Sequence, residues 1–186
     1  MKRLFDFVLA LFFAIVLSLP FLVVAIIVRL TSSGPALYWS NRVGSCNIIF
    51  KMPKFRTMQV GTPAVATHLL SDSGQYLTPV GSFLRKSSLD ELPQLWSILI
   101  GDMSFVGPRP ALFNQDDLIS LRTHYGVDKL LPGLTGWAQV NGRDELSIPD
   151  KVQYEIEYLQ KKSFWFDIKI LGLTFLNVVR RTGVSH

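Results

Sequence analysis

The chain has 186 residues, of which 48% are hydrophobic and 18% are charged. Its ample apolar content excludes an intrinsically disordered protein, and its scattered 13 glycines and 10 prolines exclude a collagen-like or low-complexity one. A single cysteine, Cys46, excludes a disulfide framework. The net charge of +5 comes without a run of basic residues, so we expect no nucleic-acid partner.

The most apolar part of the chain lies near its N-terminus. Residues 7–28 are 22 positions without a charge. As one helix this segment would be about 33 Å long, enough to cross a hydrocarbon core of about 30 Å. It is longer than the apolar region of a cleaved signal peptide, which has about 7–15 residues. We therefore predict a membrane anchor over residues 1–30 and one further domain over residues 31–186.

Two features favour a re-entrant helix hairpin over a single transmembrane span. Pro20 lies near the middle of the apolar segment, where a proline removes a hydrogen bond and kinks the helix. The Ser18 hydroxyl, two residues earlier, could satisfy a carbonyl that this break sets free. Positive charge marks the cytoplasmic side of a membrane, and it flanks the segment on both sides, at Lys2, Arg3, Arg29 and Arg42. A hairpin would place both flanks on one face, whereas a single span, the alternative, would separate them.

The rest of the chain predicts an α+β fold that is mainly helical. Residues 36–51 are typical of a small β-hairpin with a turn at residues 44–45, and residues 59–80 lack a period and predict a loop. Apolar spacing predicts helices over residues 92–99, 115–125 and 148–162. Residues 163–181 predict an apolar, aromatic helix that either belongs to the core or lies as an amphipathic helix in a bilayer interface.

Segment 85–95 contains two adjacent carboxylates, Asp90 and Glu91. Ser88 and Glu91 have the spacing of a capping box, but that register would put Pro93 inside the helix, where it breaks a hydrogen bond. With Asp90 as the N-cap, Pro93 falls in the first turn, where proline is tolerated. Asp90 is then either a structural cap or a functional carboxylate whose pKa the helix dipole lowers. An ionised carboxylate there could act as a nucleophile or as a Mg²⁺ ligand.

Arg109 stands between Pro108 and Pro110. Each proline fixes its own φ and restricts the residue before it. The Arg109 guanidinium would then be pre-organised for a phosphate or a carboxylate. The alternative is a rigid surface turn without a ligand.

Two segments carry weaker candidate ligands. Residues 50–58 place Lys54 and Arg56 among aromatic side chains, a pattern that also fits a solvated strand edge. Residues 132–143 contain three glycines, which permit close approach of the backbone to a ligand, together with Asn141 and Arg143. The histidines are isolated and lack the spacing of metal ligands: His68, His124 and His186.

Six motifs occur in order along the chain and carry a resemblance to a known family. They are Lys54-Phe55-Arg56-Thr57-Met58, Ser88-Leu89-Asp90-Glu91-Leu92-Pro93-Gln94-Leu95, Gly101-Asp102-Met103-Ser104, Gly107-Pro108-Arg109-Pro110, Pro132-Gly133-Leu134-Thr135-Gly136 and Gln139-Val140-Asn141-Gly142-Arg143. With the basic start and the apolar segment, they resemble the bacterial sugar transferases, the monotopic polyprenyl-phosphate phosphoglycosyl transferases. The resemblance covers essentially the whole chain, and the length is similar to the minimal form of the family, close to the PglC type.

The resemblance implies transfer of a sugar 1-phosphate from a UDP-sugar to undecaprenyl phosphate, with release of UMP. It implies a cytoplasmic domain that rests on the bacterial inner membrane, contacts with membrane lipids, and later glycosyltransferases of the pathway as possible partners. In the family mechanism an aspartate attacks the β-phosphate and forms a covalent phosphosugar intermediate. By position, Asp90 would be that nucleophile, and Glu91 would assist in metal or proton handling with Mg²⁺ as cofactor.

The resemblance also assigns substrate-binding residues by position. Cations that match those near the family's site are Lys54, Arg85 and Arg109, for which phosphate binding is implied. Nucleotide or phosphate contacts are carried over to Asn141 and Arg143, and the candidate set is completed by Arg56, Pro108 and Pro110. Two departures stand out: Leu19 rather than a serine precedes Pro20, and residues 60–80 are poor in acidic side chains.

Two other kinds of function stay open from the sequence. The protein could be a non-enzymatic membrane adaptor in which the two carboxylates only cap a helix. It could also be a lipid-phosphate hydrolase, which would release inorganic phosphate from the lipid alone. The residues do not indicate which UDP-sugar a transferase would use.

The re-entrant hairpin predicts on which side of the membrane residue 1 lies. A glycosylation or thiol-labelling tag placed at residue 1 should not be modified from outside the cell, because both flanks of a hairpin lie on the cytoplasmic face. Labelling from outside would eliminate the re-entrant arrangement and leave the single span.

Overall fold

The computed structural model describes residues 1–63, 73–142 and 146–180, and it has a mixed α+β fold that is mainly helical, as predicted. The helices are α1 (Lys2–Val16), α2 (Ser18–Thr31), α3 (Gly81–Lys86), α4 (Gln94–Ile100), α5 (Asp116–His124), α6 (Trp137–Val140), α7 (Ile148–Lys161) and α8 (Phe164–Arg180). The strands are β1 (Leu37–Val43), β2 (Ile49–Phe55), β3 (Ser104–Val106), β4 (Ala111–Leu112) and β5 (Gly133–Thr135).

The strands form two small sheets. Strands β1 and β2 pair as an antiparallel hairpin with Leu37 opposite Phe55, and β4 adds to the other edge of β1, which gives the order β2-β1-β4. Strands β3 and β5 form a separate parallel pair, with Ser104 opposite Gly133. The predicted β-hairpin is confirmed. Strands β3, β4 and β5 are too short to produce a recognisable alternation in the sequence.

The two N-terminal helices are separated by a sharp bend. Helix α1 ends at Val16, Leu17 lies outside both helices, and Pro20 is the third residue of α2. Because Pro20 has no N–H and its ring crowds the carbonyl four residues earlier, the helix breaks at that point, as predicted. The hydrogen bond expected from the Ser18 hydroxyl is not formed with any residue that the structure describes.

No single helix within the described residues is long and apolar enough to cross a membrane. Helices α1 and α2 meet the length and composition requirement only when taken together, and their axes differ by 63°.

Polar side chains at the start of α1 bind the rest of the chain. Lys2 Nζ donates to Asp167 Oδ2 at 2.6 Å and to the carbonyl of Val106 at 3.2 Å. Arg3 donates to the carbonyls at the end of α4. Asp6 is 2% exposed and accepts a hydrogen bond from the Ser104 hydroxyl at 2.8 Å. These contacts fix α1 against β3, the strand that leads to Arg109.

The main core is built around α1, α4 and α8. Its buried members come from all parts of the chain: Ala10, Met52, Ile98, Met103, Phe105, Val106, Tyr158 and Ile170. A second cluster joins α2 to β2 through Val28 and Phe55, and a third joins α5 to α7 through Leu118 and Val152. Helix α1 therefore packs into the main core and α2 into the second cluster, each together with elements of the segment that follows.

The predicted helices are found with small shifts in their ends. Helices α5 and α7 match the predicted segments closely, and α4 begins two residues later than expected. Helix α8 contributes to the core through Ile170, which is fully buried, whereas Trp165 of the same helix is 78% exposed. Its placement in a bilayer interface stays a prediction. Of the predicted loop over residues 59–80, residues 64–72 lie outside the described residues.

Glycines permit close contact between two segments of backbone. A Cβ atom at Gly133 would lie 2.1 Å from the nitrogen of Gly107, and one at Gly136 would lie 2.1 Å from the Gly107 carbonyl oxygen. Any other residue at these positions would separate the strands, so β3 and β5 can pair only with glycine there. The pairing fixes the start of the segment that carries Arg109.

Candidate active site

The two adjacent carboxylates lie in a short 3₁₀ turn, Leu89–Glu91, between α3 and α4. Ser88 precedes this turn with φ of 56° and ψ of 16°, the left-handed conformation that non-glycine residues adopt rarely. This conformation ends α3 and redirects the chain, so that Asp90 and Glu91 follow immediately. The site thus begins at a locally strained residue.

The structure corrects the predicted helix register. Asp90 is not the N-cap of α4, because the helix begins at Gln94 and is preceded by Pro93. The capping box is absent too, since the Ser88 side chain makes no capping hydrogen bond. Pro93 has no N–H to donate, and the turn before the helix is instead closed by the tighter bond from the Leu92 N–H to the Leu89 carbonyl at 3.3 Å.

Glu91 joins two basic side chains from distant parts of the chain. Lys54 Nζ on β2 lies 2.8 Å from Glu91 Oε1, and Arg109 Nη2 lies 3.1 Å from the same oxygen. The side chain of Glu91 is 13% exposed and that of Lys54 17% exposed, so the pair is shielded from solvent. The predicted grouping of Glu91, Lys54 and Arg109 is therefore present.

Asp90 is 7% exposed and makes no hydrogen bond with the residues that the structure describes. Burial raises the pKa of its carboxyl group above the ordinary value. The positive charge of Lys54 opposes this effect, the charge of Glu91 adds to it, and Arg85 and Arg109 oppose it more weakly. The lowered pKa expected from a helix dipole is wrong in direction, because Asp90 lies in a 3₁₀ turn and desolvation dominates.

Arg85 supports the site from α3. Its Nε donates to the Thr57 hydroxyl at 3.0 Å, directly after strand β2. Burial lowers the pKa of Arg85, and attraction to Asp90 counteracts this effect. Arg85 therefore supplies a positive charge next to Asp90 while its position is fixed by Thr57.

Residues 108–110, here called the Pro-Arg-Pro loop, are held through their main-chain carbonyls. The first carbonyl accepts a hydrogen bond from the Gly133 N–H at 2.8 Å, and the third accepts one from Arg42 Nη1 at 3.2 Å. Burial, followed by repulsion from Arg109, lowers the pKa of Arg42 to about 10, so it stays charged at neutral pH. Both prolines are buried and Arg109 is partly exposed. The predicted pre-organisation of Arg109 fits this arrangement.

A cavity of about 1030 Å³ lies beside this cluster. Polar residues on its wall include Lys86, Ser87, Ser88, Glu91, Arg109 and Gln139, and apolar ones include Phe13, Leu17, Leu92, Leu95, Leu171 and Val178. Asp90 is not among the residues that line it. The side-chain amide of Gln139 is buried with no hydrogen-bond partner in the described part of the chain, so both of its polar atoms are available to a ligand.

The Bacterial sugar transferase family matches residues 1–181. The chain belongs to this family. It is 39% identical over 181 residues to the UDP-glucose:undecaprenyl-phosphate glucose-1-phosphate transferase of Escherichia coli (strain K12). This alignment covers 94% of this chain and 39% of the Escherichia coli protein. It is 39% identical over 188 residues to the uncharacterized sugar transferase EpsL of Bacillus subtilis (strain 168), which covers all of this chain and 91% of that protein.

A further relative is the undecaprenyl-phosphate galactose phosphotransferase of Salmonella typhimurium, 35% identical over 203 residues. That alignment covers 98% of this chain and 41% of the relative. The chain thus spans about two fifths of the length of the Escherichia coli and Salmonella proteins, and most of the Bacillus one.

Not every candidate residue of this sugar transferase lies at the carboxylates. Arg56 donates to the Pro35 carbonyl at 2.9 Å and lies over the ring of Tyr38, away from Glu91. Asn141 is exposed, does not line the cavity, and donates to the Trp137 carbonyl at 2.7 Å. Arg143 lies outside the described residues.

Sequence reasoning missed several polar residues of this site region. They are Thr57, Gln139, Glu155, Arg42 and Arg122. Of these, Arg42 was predicted only as a flank of the membrane segment, and Arg122 only as part of a helix. The signal was weak, because these residues meet only when separate elements of the fold pack together.

The described residues offer Asp90 and Glu91 as the carboxylates for a metal ion, and within this part of the chain no group of three or more potential ligands occurs. Mg²⁺ is bound in many enzymes by one or two carboxylates together with substrate phosphates. The hydrogen-bond-free carboxylate of Asp90 next to Glu91 fits that mode of binding.

We predict that Asp90→Asn raises the thermal stability of the protein at neutral pH when divalent metal is chelated. Burial raises the pKa of Asp90 in the folded state. Between the ordinary carboxyl pKa of about 4 and the raised value, the folded state binds more protons than the unfolded state. Stability is therefore lost as the pH rises through this window, and the neutral amide avoids that loss. Thermal unfolding from about pH 4 to neutral pH should show an advantage of the variant that grows with pH.

Asp116→Asn is the matched control for this measurement. Asp116 is exposed in the first turn of α5, where a carboxylate is stabilised by the helix dipole. Its removal should slightly lower the melting temperature at neutral pH. An Asp90→Asn melting temperature at or below that of the wild type throughout the range would contradict a burial-raised pKa.

Proposed function

We propose that this protein transfers a sugar 1-phosphate from a UDP-sugar to undecaprenyl phosphate and releases UMP. The Escherichia coli and Salmonella relatives bear names of undecaprenyl-phosphate sugar phosphotransferases, which supports the general reaction. The observation that carries the proposal is the pair Asp90 and Glu91 surrounded by cations, with Lys54 and Arg109 bound to Glu91 at 2.8 and 3.1 Å. Both substrates are anionic, so a transferase between them needs cations at the reacting phosphates.

In the proposed first step, an oxygen of the Asp90 carboxylate attacks the β-phosphorus of the UDP-sugar. The bond from this phosphorus to the oxygen that bridges to the α-phosphate breaks, UMP leaves, and an aspartyl phosphosugar remains. In the second step a phosphate oxygen of the lipid attacks the same phosphorus, and Asp90 leaves as a carboxylate. Nearby positive charge from Lys54 and Arg109 opposes the raised pKa of Asp90 and favours its ionised form.

Basic side chains and the cavity would bind the two substrates. Arg109 and Lys86 line the cavity next to Glu91, where they can meet phosphate oxygens. The unpartnered amide of Gln139 is available to hydroxyl or carbonyl groups of the donor. The apolar side chains on the cavity wall provide a surface for the lipid end of the acceptor.

Mg²⁺ is the proposed cofactor, held by Asp90 and Glu91 together with the donor phosphates. When bound, it would neutralise negative charge on the pyrophosphate. Glu91 is already fixed by Lys54 and Arg109, so it would present its carboxylate with little reorganisation.

A bacterial inner-membrane location on the cytoplasmic face is part of the proposal. Helices α1 and α2, bent by 63°, would enter the bilayer and return as a monotopic re-entrant anchor. Their exposed apolar side chains, together with Trp165 and Phe175 of α8, would contact membrane lipids. Later glycosyltransferases of the same glycan pathway would then receive the lipid-linked product.

A panel of UDP-sugars scored by UMP release tests the function. Repeated release of UMP from at least one donor should need both Mg²⁺ and undecaprenyl phosphate. Without the lipid, at most about one equivalent of UMP per enzyme should appear, because Asp90 then remains bound to the phosphosugar. The Asp90→Asn variant should release none and form no covalent phosphosugar adduct by intact-protein mass spectrometry, because the amide is not a nucleophile. Turnover by Asp90→Asn would refute the nucleophile assignment. An adaptor would release no UMP from any donor, and a lipid-phosphate hydrolase would release inorganic phosphate from the lipid alone.

Arg109→Ala should severely impair transfer while the protein remains folded. Removal of one pre-organised cation from a developing phosphate charge typically costs about 10²–10³ in kcat. The matched control is Lys51→Ala, since Lys51 is an exposed cation on the same strand as Lys54. UMP release near the wild-type rate in Arg109→Ala would reduce Arg109 to a residue of a rigid turn.

A further inference from the structure

Arg122 is a buried arginine that the proposed mechanism does not use. It lies on α5 and is 7% exposed. Its Nε donates to Glu155 Oε2 on α7 at 2.8 Å, and its Nη2 binds Glu155 Oε1. The same Nη2 donates to the main-chain carbonyl of Arg109 at 3.0 Å. One guanidinium therefore connects the α5–α7 pair to the middle of the Pro-Arg-Pro loop.

The packing of α5 on α7 does not depend on this ion pair alone. The neighbouring part of that interface is apolar, with Leu118 and Val152 buried together. A buried ion pair adds little net stability, because desolvation of both charges offsets their attraction. The pair fixes the relative position of Glu155 and the Arg109 carbonyl, because a guanidinium has enough N–H donors to bind both carboxylate oxygens and one carbonyl.

The hydrogen bond from Arg122 completes the restraint of the Pro-Arg-Pro loop. The first and third carbonyls of the loop are bound by Gly133 and Arg42, and the second is bound by Arg122. The second carbonyl belongs to Arg109 itself, so its position fixes the Cα from which the side chain extends. The Arg109 side chain is 34% exposed where it reaches Glu91 and the cavity.

We propose that Arg122 is a positioning residue for the Arg109 guanidinium, acting through the Arg109 carbonyl with Glu155 as its fixed partner. This inference rests on the proposed transfer reaction, in which Arg109 meets the phosphates. A small displacement of a catalytic group, of about 1 Å, can cost ~100-fold in rate. Arg122 then affects the reaction without touching a substrate.

Arg122→Lys is the test substitution. Lysine keeps a positive charge opposite Glu155, but its single ammonium lacks the planar fork needed to bind both carboxylate oxygens and the Arg109 carbonyl. We expect kcat for UMP release to fall about 10- to 100-fold, with a much smaller change in KM for the UDP-sugar. A kcat equal to that of the wild type would overturn the proposal.

Leu118→Ala is the matched control for lost stability. Leu118 lies one turn before Arg122 on α5, is 4% exposed, and packs in an apolar cluster with Val152 of α7. It has no hydrogen-bonding side chain with which to hold the Arg109 carbonyl. Its truncation leaves a cavity and lowers the melting temperature, but kcat below that temperature should remain near the wild-type value. A loss of kcat as large as that of Arg122→Lys would show that Arg122 acts only through overall stability.

A double-mutant cycle separates positioning from an independent role. Once the Arg109 side chain is removed, Arg122 has nothing to position, so Arg109→Ala and Arg109→Ala/Arg122→Lys should release UMP at the same rate. If Arg122→Lys lowers the rate of UMP release in the Arg109→Ala background by as large a factor as in the wild-type background, the proposal is overturned.

A wild-type protein that releases no UMP from any donor would instead refute the proposed function. In that case ¹⁵N relaxation of the Arg109 guanidinium still tests positioning. We expect the order parameter of this guanidinium to fall in Arg122→Lys and to be retained in Leu118→Ala. An unchanged order parameter in Arg122→Lys would overturn the inference.

Discussion

A single carboxylate oxygen, Oε1 of Glu91, holds the site together. It accepts hydrogen bonds from Lys54 on β2 and from Arg109 in the loop after β3, so it joins the antiparallel hairpin to the parallel strand pair. Glu91 itself follows α3 in the short turn before α4. Without this shared acceptor, the two partly buried cations would lose the carboxylate that bridges them, and their mutual repulsion would be less fully compensated.

The same cations also govern the chemistry available to Asp90. Burial raises the pKa of this carboxyl group, and the positive charges of Lys54, Arg85 and Arg109 oppose that effect. A buried carboxylate whose charge is stabilised only by its neighbours is poorly solvated and therefore reactive. The burial that makes the Asp90 carboxylate reactive also lowers the stability of the folded protein, as at many catalytic groups.

The sequence identified the residues of chemical interest better than their surroundings. Asp90, Glu91 and Arg109 stand in motifs with prolines and glycines, whose backbone restrictions can be recognised locally. The β1–β2 hairpin and the helix break near Pro20 follow from equally local rules. The register of α4 and the pKa direction of Asp90 could not be predicted, because both depend on burial by distant elements. Arg122 was missed for the same reason: its partners are 13 and 33 residues away in sequence.

The polar contacts of α1 have a consequence for the order in which the molecule is assembled. Lys2 pairs with Asp167, 165 residues further along the chain, and Asp6 binds Ser104, 98 residues further along. Because translation runs from the N-terminus to the C-terminus, Lys2 can pair with Asp167 only after some 165 further residues have been added. The Asp6 carboxylate, which is buried in the folded protein, must stay hydrated until Ser104 has been made and has reached it.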